Sequence, residues 1–391
     1  MSCVTLGIER LLAEKKPLIA GRRLGLVAHP ASVDSRFAHT LSRLLAAGAD
    51  VRTLFGPEHG FAGEAQDMVA VGGARRGPRG LPLVSLYGAT EETLSPGPEH
   101  LAGLDALVID LADVGSRYYT FVWTAVLCVR ACHRAGVDAI VLDRPNPLGG
   151  EEIEGAPQRE GFLSFVGLLP VPNRHGMTIG EIARFAARLD GTADALTVVT
   201  MEGWRRGMPF EETGAPWVMP SPNMPTPDTA LVYPGGCLLE GTWASEGRGT
   251  TRPFELAGAP EVSAEELARH LEAAQLPGAR FRPVSFVPTF HKHASLSCGG
   301  VQIHVTDRRA FRPYRTGVAL LVALKAAAGG AFAWRRAPYE FVTDVPAIDL
   351  LTGGDEIRRG VEEGASVAEL AATWAEGERS FAALRRDHQL Y

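Results

Sequence analysis

The chain has no apolar run approaching the ~18 residues that a bilayer-spanning helix needs, so no transmembrane segment and no membrane partner are expected. It also lacks a basic run. Its 39 Lys and Arg stand against 45 Asp and Glu, a net charge of −6, and no nucleic-acid footprint follows from that. The first ten residues, MSCVTLGIER, do not show the basic-then-apolar order of a signal peptide. Cysteine is scarce. Residues 3, 128, 132, 237 and 298 are an odd set without framework spacing, so reduced thiols and a cytoplasmic protein are expected.

Three chemical signatures are missing as well. No G-x-G-x-x-G follows the first predicted strand and no Walker-type lysine is present, so a nucleotide cofactor is not expected. No G-x-S-x-G elbow is found, which argues against a serine nucleophile of the α/β-hydrolase kind. His291 and His293 flank Lys292 without an acid or cysteine beside them, so no metal is expected there. Cys128 and Cys132, one helical turn apart, read as packing residues.

What remains is a soluble globular composition, 46% apolar and 21% charged over 391 residues. That length favours two domains. Apolar runs at Leu24–Ala28, Val51–Phe55, Leu83–Leu86, Ala106–Leu111, Ala139–Leu142 and Leu196–Thr200 predict strands. Helical spacing between them predicts helices at Phe37–Ala47, Thr120–Ala135 and Thr178–Leu189, with Ser32–Asp34 as a candidate start for the first. Strands separated by connections of helix length imply right-handed parallel crossovers. The expectation is α/β: a Rossmann-like, doubly wound, mostly parallel sheet over 1–204, with a smaller auxiliary α+β domain over 205–391 closing the cleft. Residues 207–260 are rich in Pro and Gly and read as ordered loops. Beyond them, helices are expected at Val262–Ala274, behind a Ser263/Glu266 capping box, at Pro313–Ala327, and at 355–362 and 366–388. Strands are expected at Phe281–Val287 and Cys298–Val305.

The polar chemistry gathers just past the predicted strands. Glu58-His59 sits between Gly56-Pro57 and Gly60, a carboxylate and an imidazole in a loop held free of bulk. Asp113 to Tyr119 follows the fourth strand, with Arg117, Tyr118 and Tyr119. The fifth leads into Asp143-Arg144-Pro145-Asn146 and then Glu154. In a parallel sheet all three loops leave the same edge, where ligands bind. Asp143-Arg144 reads equally as a local ion pair or a ligand contact, and the tyrosine pair as packing or as a binding face. Further on, Asn223 lies in a proline-bracketed turn, and Glu240, Glu246 and Arg248 lie in a glycine-rich stretch where an Arg fork suits a carboxylate.

Together, GPEHG at 56–60, DVGSRYYT at 113–120, LDRPNP at 142–147, HGMTIGE at 175–181, PSPNMP at 220–225 and SEGRGTT at 245–251 resemble the DUF1343 family. That family includes the NamZ-type exo-β-N-acetylmuramidases of bacterial cell-wall recycling. The resemblance runs nearly end to end. It implies a Rossmann-like domain plus an auxiliary domain whose shared cleft releases N-acetylmuramic acid from the non-reducing end of peptidoglycan fragments, saccharide or muropeptide. His175 joins the candidate binding residues through its motif. The family usually carries Gln where this chain has Ala112, which removes an amide from the cleft; His29 and Ala31 replace the Asn and Thr usual after the first strand. The expected chemistry is β-glycoside hydrolysis with Glu58 as general acid, its pKa raised by Phe55, Phe61 and Asp113, and Asp113 or Glu154 as the second group. The sugar's own acetamido group is the alternative nucleophile. His59 is expected near the scissile oxygen, and Arg117 or Arg248 on the lactyl carboxylate. Asn146, Asn223 and the tyrosines are expected on hydroxyls and the ring face. A non-catalytic muropeptide-binding protein and an amide hydrolase of the peptide stem are the rival classes.

Overall fold

A computed structural model describes residues 4–66, 68–71 and 75–391. In the described residues of the N-terminal part, one sheet is built from β1 (Arg23–Ala28), β2 (Asp50–Gly56), β3 (Arg75–Arg76), β4 (Pro82–Ser85), β5 (Ala106–Asp110), β6 (Asp138–Leu142) and β7 (Leu196–Val199). Their order is β3-β4-β2-β1-β5-β6-β7. All neighbours pair in parallel except β3, which runs antiparallel to β4 at one edge. From β1 the chain winds outward first through β2 and then, after returning to the centre at β5, through β6 and β7. The reversal falls between β1 and β5, and both strands end at the same rim.

Burial on both faces explains the near-continuous apolar strands. Leu24, Leu26 and Ala28 of β1 join Leu54, Val108, Ile140 and Leu142 in a core under the Gly7–Glu14 and Thr40–Ala46 helices. Val27, Phe55, Leu107, Ile109 and Val141 face the other way, against the Phe121–Ala135 and Ile179–Asp190 helices. That second core continues into the C-terminal part through Tyr233, Phe254, Tyr314 and Trp374.

The C-terminal part carries a three-stranded antiparallel sheet, β8 (Leu256–Ala259), β10 (Cys298–Val305) and β9 (Ala279–Phe286), in that order. The Ala264–Ala273 helix begins at Ser263, whose Oγ accepts from the Glu266 amide. The Pro313–Ala328, Ala347–Thr352, Glu356–Glu363 and Val367–Leu384 helices pack with it.

Three local readings are corrected. The helix expected at Phe37–Ala47 begins at Thr40: Asp34 Oδ1 accepts from the amides of Arg36 and Ala38, which turns the chain, and Phe37 is left exposed with φ 64°. Within the supposed loop stretch, Pro227–Gly236 is a helix capped by Thr226. From Thr229 to Gly236 it is buried on every side, so it has no amphipathic period to read. β8 is the third, too short and too glycine-rich to stand out. No helix among the described residues is long and apolar enough to cross a membrane. Cys128, Cys132, Cys237 and Cys298 are free and buried; Cys3 lies outside the described residues.

Candidate active site

β2 delivers Glu58. The chain turns so tightly after the strand that a Cβ on Gly56 would lie 2.5 Å from the Phe61 amide nitrogen, so only glycine fits. His59 follows in the left-handed region at φ 69°, a conformation costly for a residue with a side chain. Its Nδ1 bonds the Ala65 carbonyl at 2.8 Å, which holds that turn. Glu58 is thereby aimed at the start of the Phe121–Ala135 helix, where Thr120 Oγ1 donates to its Oε2 at 2.6 Å.

Glu58 faces a cavity just past the end of β2. Both domains line it. The N-terminal part contributes His59, Tyr118, Tyr119 and Thr120, and the turn after Pro220 contributes Ser221, Asn223 and Met224. The C-terminal part contributes Tyr233, Glu240, Arg248, Tyr339 and Glu340. Asn223 Nδ2 donates to Gln66 Oε1 at 2.9 Å, tying the proline turn to the loop that follows Glu58. Arg248 donates to Glu240 at 2.6 Å and lies 3.2 Å from Glu246, its guanidinium 4.9 Å above the Phe254 ring. Tyr339 Oη donates to the other Glu240 oxygen at 2.6 Å. Glu340 accepts from Tyr87 Oη at 3.0 Å, across the domain junction. Both Glu340 and Phe341 have positive φ, 46° and 69°.

Several sequence candidates stand elsewhere. Arg117 is fully buried and donates to the carbonyls of Ala156, Val171 and Leu351; burial lowers its pKa to about 10. It fastens loops together and does not line the Glu58 cavity. Glu154 pairs with Arg174 at 3.0 Å and accepts from the Tyr314 amide at 3.0 Å, at the first turn of the Pro313–Ala328 helix. A carboxylate suits that position on its own account. Asp143 accepts from Arg144 N, Gly180 N, Thr178 Oγ1 and Tyr391 Oη, at 2.6–3.0 Å. Burial raises its pKa to about 6 against those donors. It bonds the backbone of Arg144, whose side chain instead forks onto Asp110 at 2.5 and 2.9 Å. Asn146 bonds Met177 O and Leu148 N, filling the space where a Cβ on Gly115 would come within 2.2 Å. Glu246 is fully buried. Against that burial, Lys292, His291 and Arg248 hold its carboxyl well below the usual range. His293 turns away from this group, its Nε2 on the Trp243 carbonyl at 2.9 Å.

Asp113 lies in a second, adjoining pocket. Burial raises its pKa to about 7, against the amides of Gly115 and Val114. Oδ2 accepts from Gly115 N at 2.7 Å, while Oδ1 is buried without a hydrogen-bond partner among the described residues. His175 accepts from the Met177 amide at Nδ1, so its proton sits on Nε2, 3.7 Å from Asp113 and beyond hydrogen-bond reach. Burial first, then Arg385, Arg117 and Arg206, lowers the His175 pKa to about 3.

Sequence reading passed over Ser221, Tyr233, Tyr339 and Glu340. None of the four sits in the glycine-bracketed pattern that singled out Glu58.

Comparison with known proteins follows the same geometry. The N-terminal model of the exo-β-N-acetylmuramidase NamZ matches residues 24–228, and the C-terminal model matches 231–391. The chain belongs to the NamZ family. A NamZ relative, the peptidoglycan β-N-acetylmuramidase of Bacillus subtilis strain 168, is 40% identical over 390 residues, covering 99% of this chain and 91% of that protein. Two solved DUF1343 proteins of Bacteroides fragilis share the NamZ fold. One superposes with a TM-score of 0.87 at 31% identity, covering 99% of each chain. The other gives 0.77 at 26% identity, covering 100% of this chain and 99% of its own. The two NamZ models meet between residues 228 and 231, inside the Pro227–Gly236 helix, so the cavity draws its walls from both.

Proposed function

We propose that the chain is an exo-β-N-acetylmuramidase that removes terminal N-acetylmuramic acid from the non-reducing end of peptidoglycan fragments, with the terminal sugar in the Glu58 cavity. The observation that carries this reading is the convergence of Glu58, Glu240, Glu340 and Arg248 on one tyrosine-lined cavity in a chain of the NamZ family. Glu58 gives its proton to the glycosidic oxygen as the bond to the anomeric carbon breaks. Glu240 and Glu340 bring negative charge to the oxocarbenium-like transition state. Water then adds to the anomeric carbon, and its proton returns to Glu58. Arg248 receives the lactyl carboxylate, since Arg117 is committed to carbonyls outside the cavity. Buried free thiols fit a cytoplasmic setting.

Incubation with a defined disaccharide-peptide, followed by mass spectrometry, tests the reading. Released muramic acid, with or without its stem, supports it. Binding without cleavage points to a sensor protein, and release of amino acids or peptides to an amide hydrolase.

A further inference from the structure

We propose that Lys292 is a specificity-determining residue. Acting through Glu246, it sets the aim of Arg248 and the charge around it, so that the Glu58 cavity favours a sugar bearing a carboxylate over its neutral counterpart. This rests on the function proposed above, which places the lactyl carboxylate at Arg248, and adds the residue that makes an anion acceptable there.

Lys292 reaches its place through a strained loop. Between β9 and β10, His291, His293 and Ser295 all have positive φ, 68°, 56° and 66°. Such conformations are costly for residues with a side chain and persist only where surrounding contacts over-determine them. Lys292 supplies three of those contacts: its Nζ donates to the carbonyls of Leu239 and Ala244 at 2.8 and 3.0 Å and to Glu246 Oε2 at 2.9 Å. All three donors of the ammonium are thereby used. On the other side, the amide and Oγ1 of Thr289 donate to the Gly249 carbonyl at 2.9 and 2.8 Å. The loop is thus seated on the chain both before and after Arg248.

Glu246 passes this on to Arg248. Its Oε1 lies 3.2 Å from Arg248 Nε, while Glu240 takes Nη2 at 2.6 Å and the Phe254 ring supports the guanidinium from 4.9 Å. Two carboxylates on different nitrogens and a ring beneath fix the plane of the fork. Glu246 also holds that ring in place, since its carbonyl accepts from the Phe254 amide at 2.6 Å. Burial alone would raise the Glu246 pKa; Lys292 leads the groups that hold it well below the usual carboxylate range.

The balance of charge decides the ligand. Among the described residues lining the Glu58 cavity, Arg248 is the only Lys or Arg, against Glu58, Glu240 and Glu340. One guanidinium between the carboxylates of Glu240 and Glu246 is already neutralised, and a further anion there would meet no net attraction. Lys292, behind the lining and 2.9 Å from Glu246, is the second cation that offsets the second carboxylate. In a poorly solvated site such a charge is weakly screened and is felt by the substrate.

Calorimetric titration tests this with two probes, N-acetylmuramic acid and its lactyl amide, which has the same shape and no charge. Wild type is expected to prefer the acid. Lys292→Met is expected to bind the acid about tenfold more weakly or worse and the amide within about threefold of wild type, as for one charge lost from a poorly screened site. Lys292→Arg keeps the charge and is expected to keep the preference to within about threefold. The double variant Lys292→Met/Glu246→Gln removes a cation and an anion together and is expected to recover most of the preference. A loop that had merely lost its support would gain nothing from the second substitution. Equal losses on acid and amide in Lys292→Met, a double variant as impaired as the single one, or a wild type that binds both probes alike overturns the assignment. A wild type that prefers the acid yet releases no muramic acid from a disaccharide overturns the proposed function instead, and leaves the role of Lys292 standing.

Discussion

The hydroxyl of Thr120 donates to Oε2 of Glu58 at 2.6 Å, and both side chains are buried. This bond crosses from the end of β2 to the start of the Phe121–Ala135 helix and fixes which way the carboxyl faces. Thr120→Val keeps the shape and removes the donor. A hydrogen bond between neutral groups contributes roughly 0.5–1.5 kcal/mol, so kcat is expected to fall by up to about tenfold with KM little changed. Thr120→Ser restores it. A fall in KM affinity with kcat intact contradicts the positioning role.

In the proposed function Arg248 is the cation that receives the lactyl group. Lysine in its place keeps the charge but loses the fork that grips Glu240 and a substrate carboxylate together. Arg248→Lys is expected to lower kcat/KM on an aryl β-N-acetylmuramide about tenfold more than on the matching glucosaminide, which lacks the lactyl group. Equal losses reject the contact.

Glu154 separates structure from catalysis. It lies in a buried pair with Arg174 and at a helix start, away from the Glu58 cavity. Removing one partner of a buried pair costs about 3 kcal/mol or more. Glu154→Gln is expected to lower the unfolding free energy, read from denaturant titration, by about that amount while kcat of the folded fraction stays within about threefold. A stable but inactive variant returns Glu154 to the chemistry.

Asp113 imposes a pH dependence of defined sign. Its folded pKa is raised to about 7, whereas an unfolded Asp titrates near 3.9. The folded state therefore holds a proton that the unfolded state has lost between those values. Asp113's contribution is fully favourable below about pH 4 and is lost as pH rises through 7. Asp113→Asn removes this loss. Its melting temperature relative to wild type is expected to climb between pH 4 and 7 and level off above; a difference constant with pH contradicts the buried, proton-holding carboxyl.

The fold was legible where one physical signal dominated. The apolar runs ending at Ala28, Phe55, Leu111 and Leu142 mark strands buried on both faces, and the loops after them carry polar residues that line the pockets. Their individual duties were not legible. Asp143, Asn146, Arg117 and Glu154 have the residue types of a sugar site, yet each satisfies backbone groups or a partner charge inside the protein. Buried polar groups that brace an active-site loop and those that touch ligand follow the same composition rules, and only contacts tell them apart. Tyr233 lay hidden for a different reason: the Pro227–Gly236 helix is buried on every side from Thr229 to Gly236, so nothing marked the face that meets the cavity. Tyr339 and Glu340 reach it from far along the chain, through tertiary packing that no local pattern encodes.

The central claim is that Glu58 supplies the proton to the glycosidic oxygen, and Glu58→Gln tests it most directly. Glutamine preserves the side chain's size and can still meet Thr120, but it has no proton to give. With an N-acetylmuramyl disaccharide, kcat is expected to fall by roughly 10²–10⁴, the usual contribution of general acid catalysis, with binding retained in calorimetry. Turnover within a few-fold of wild type would contradict the account.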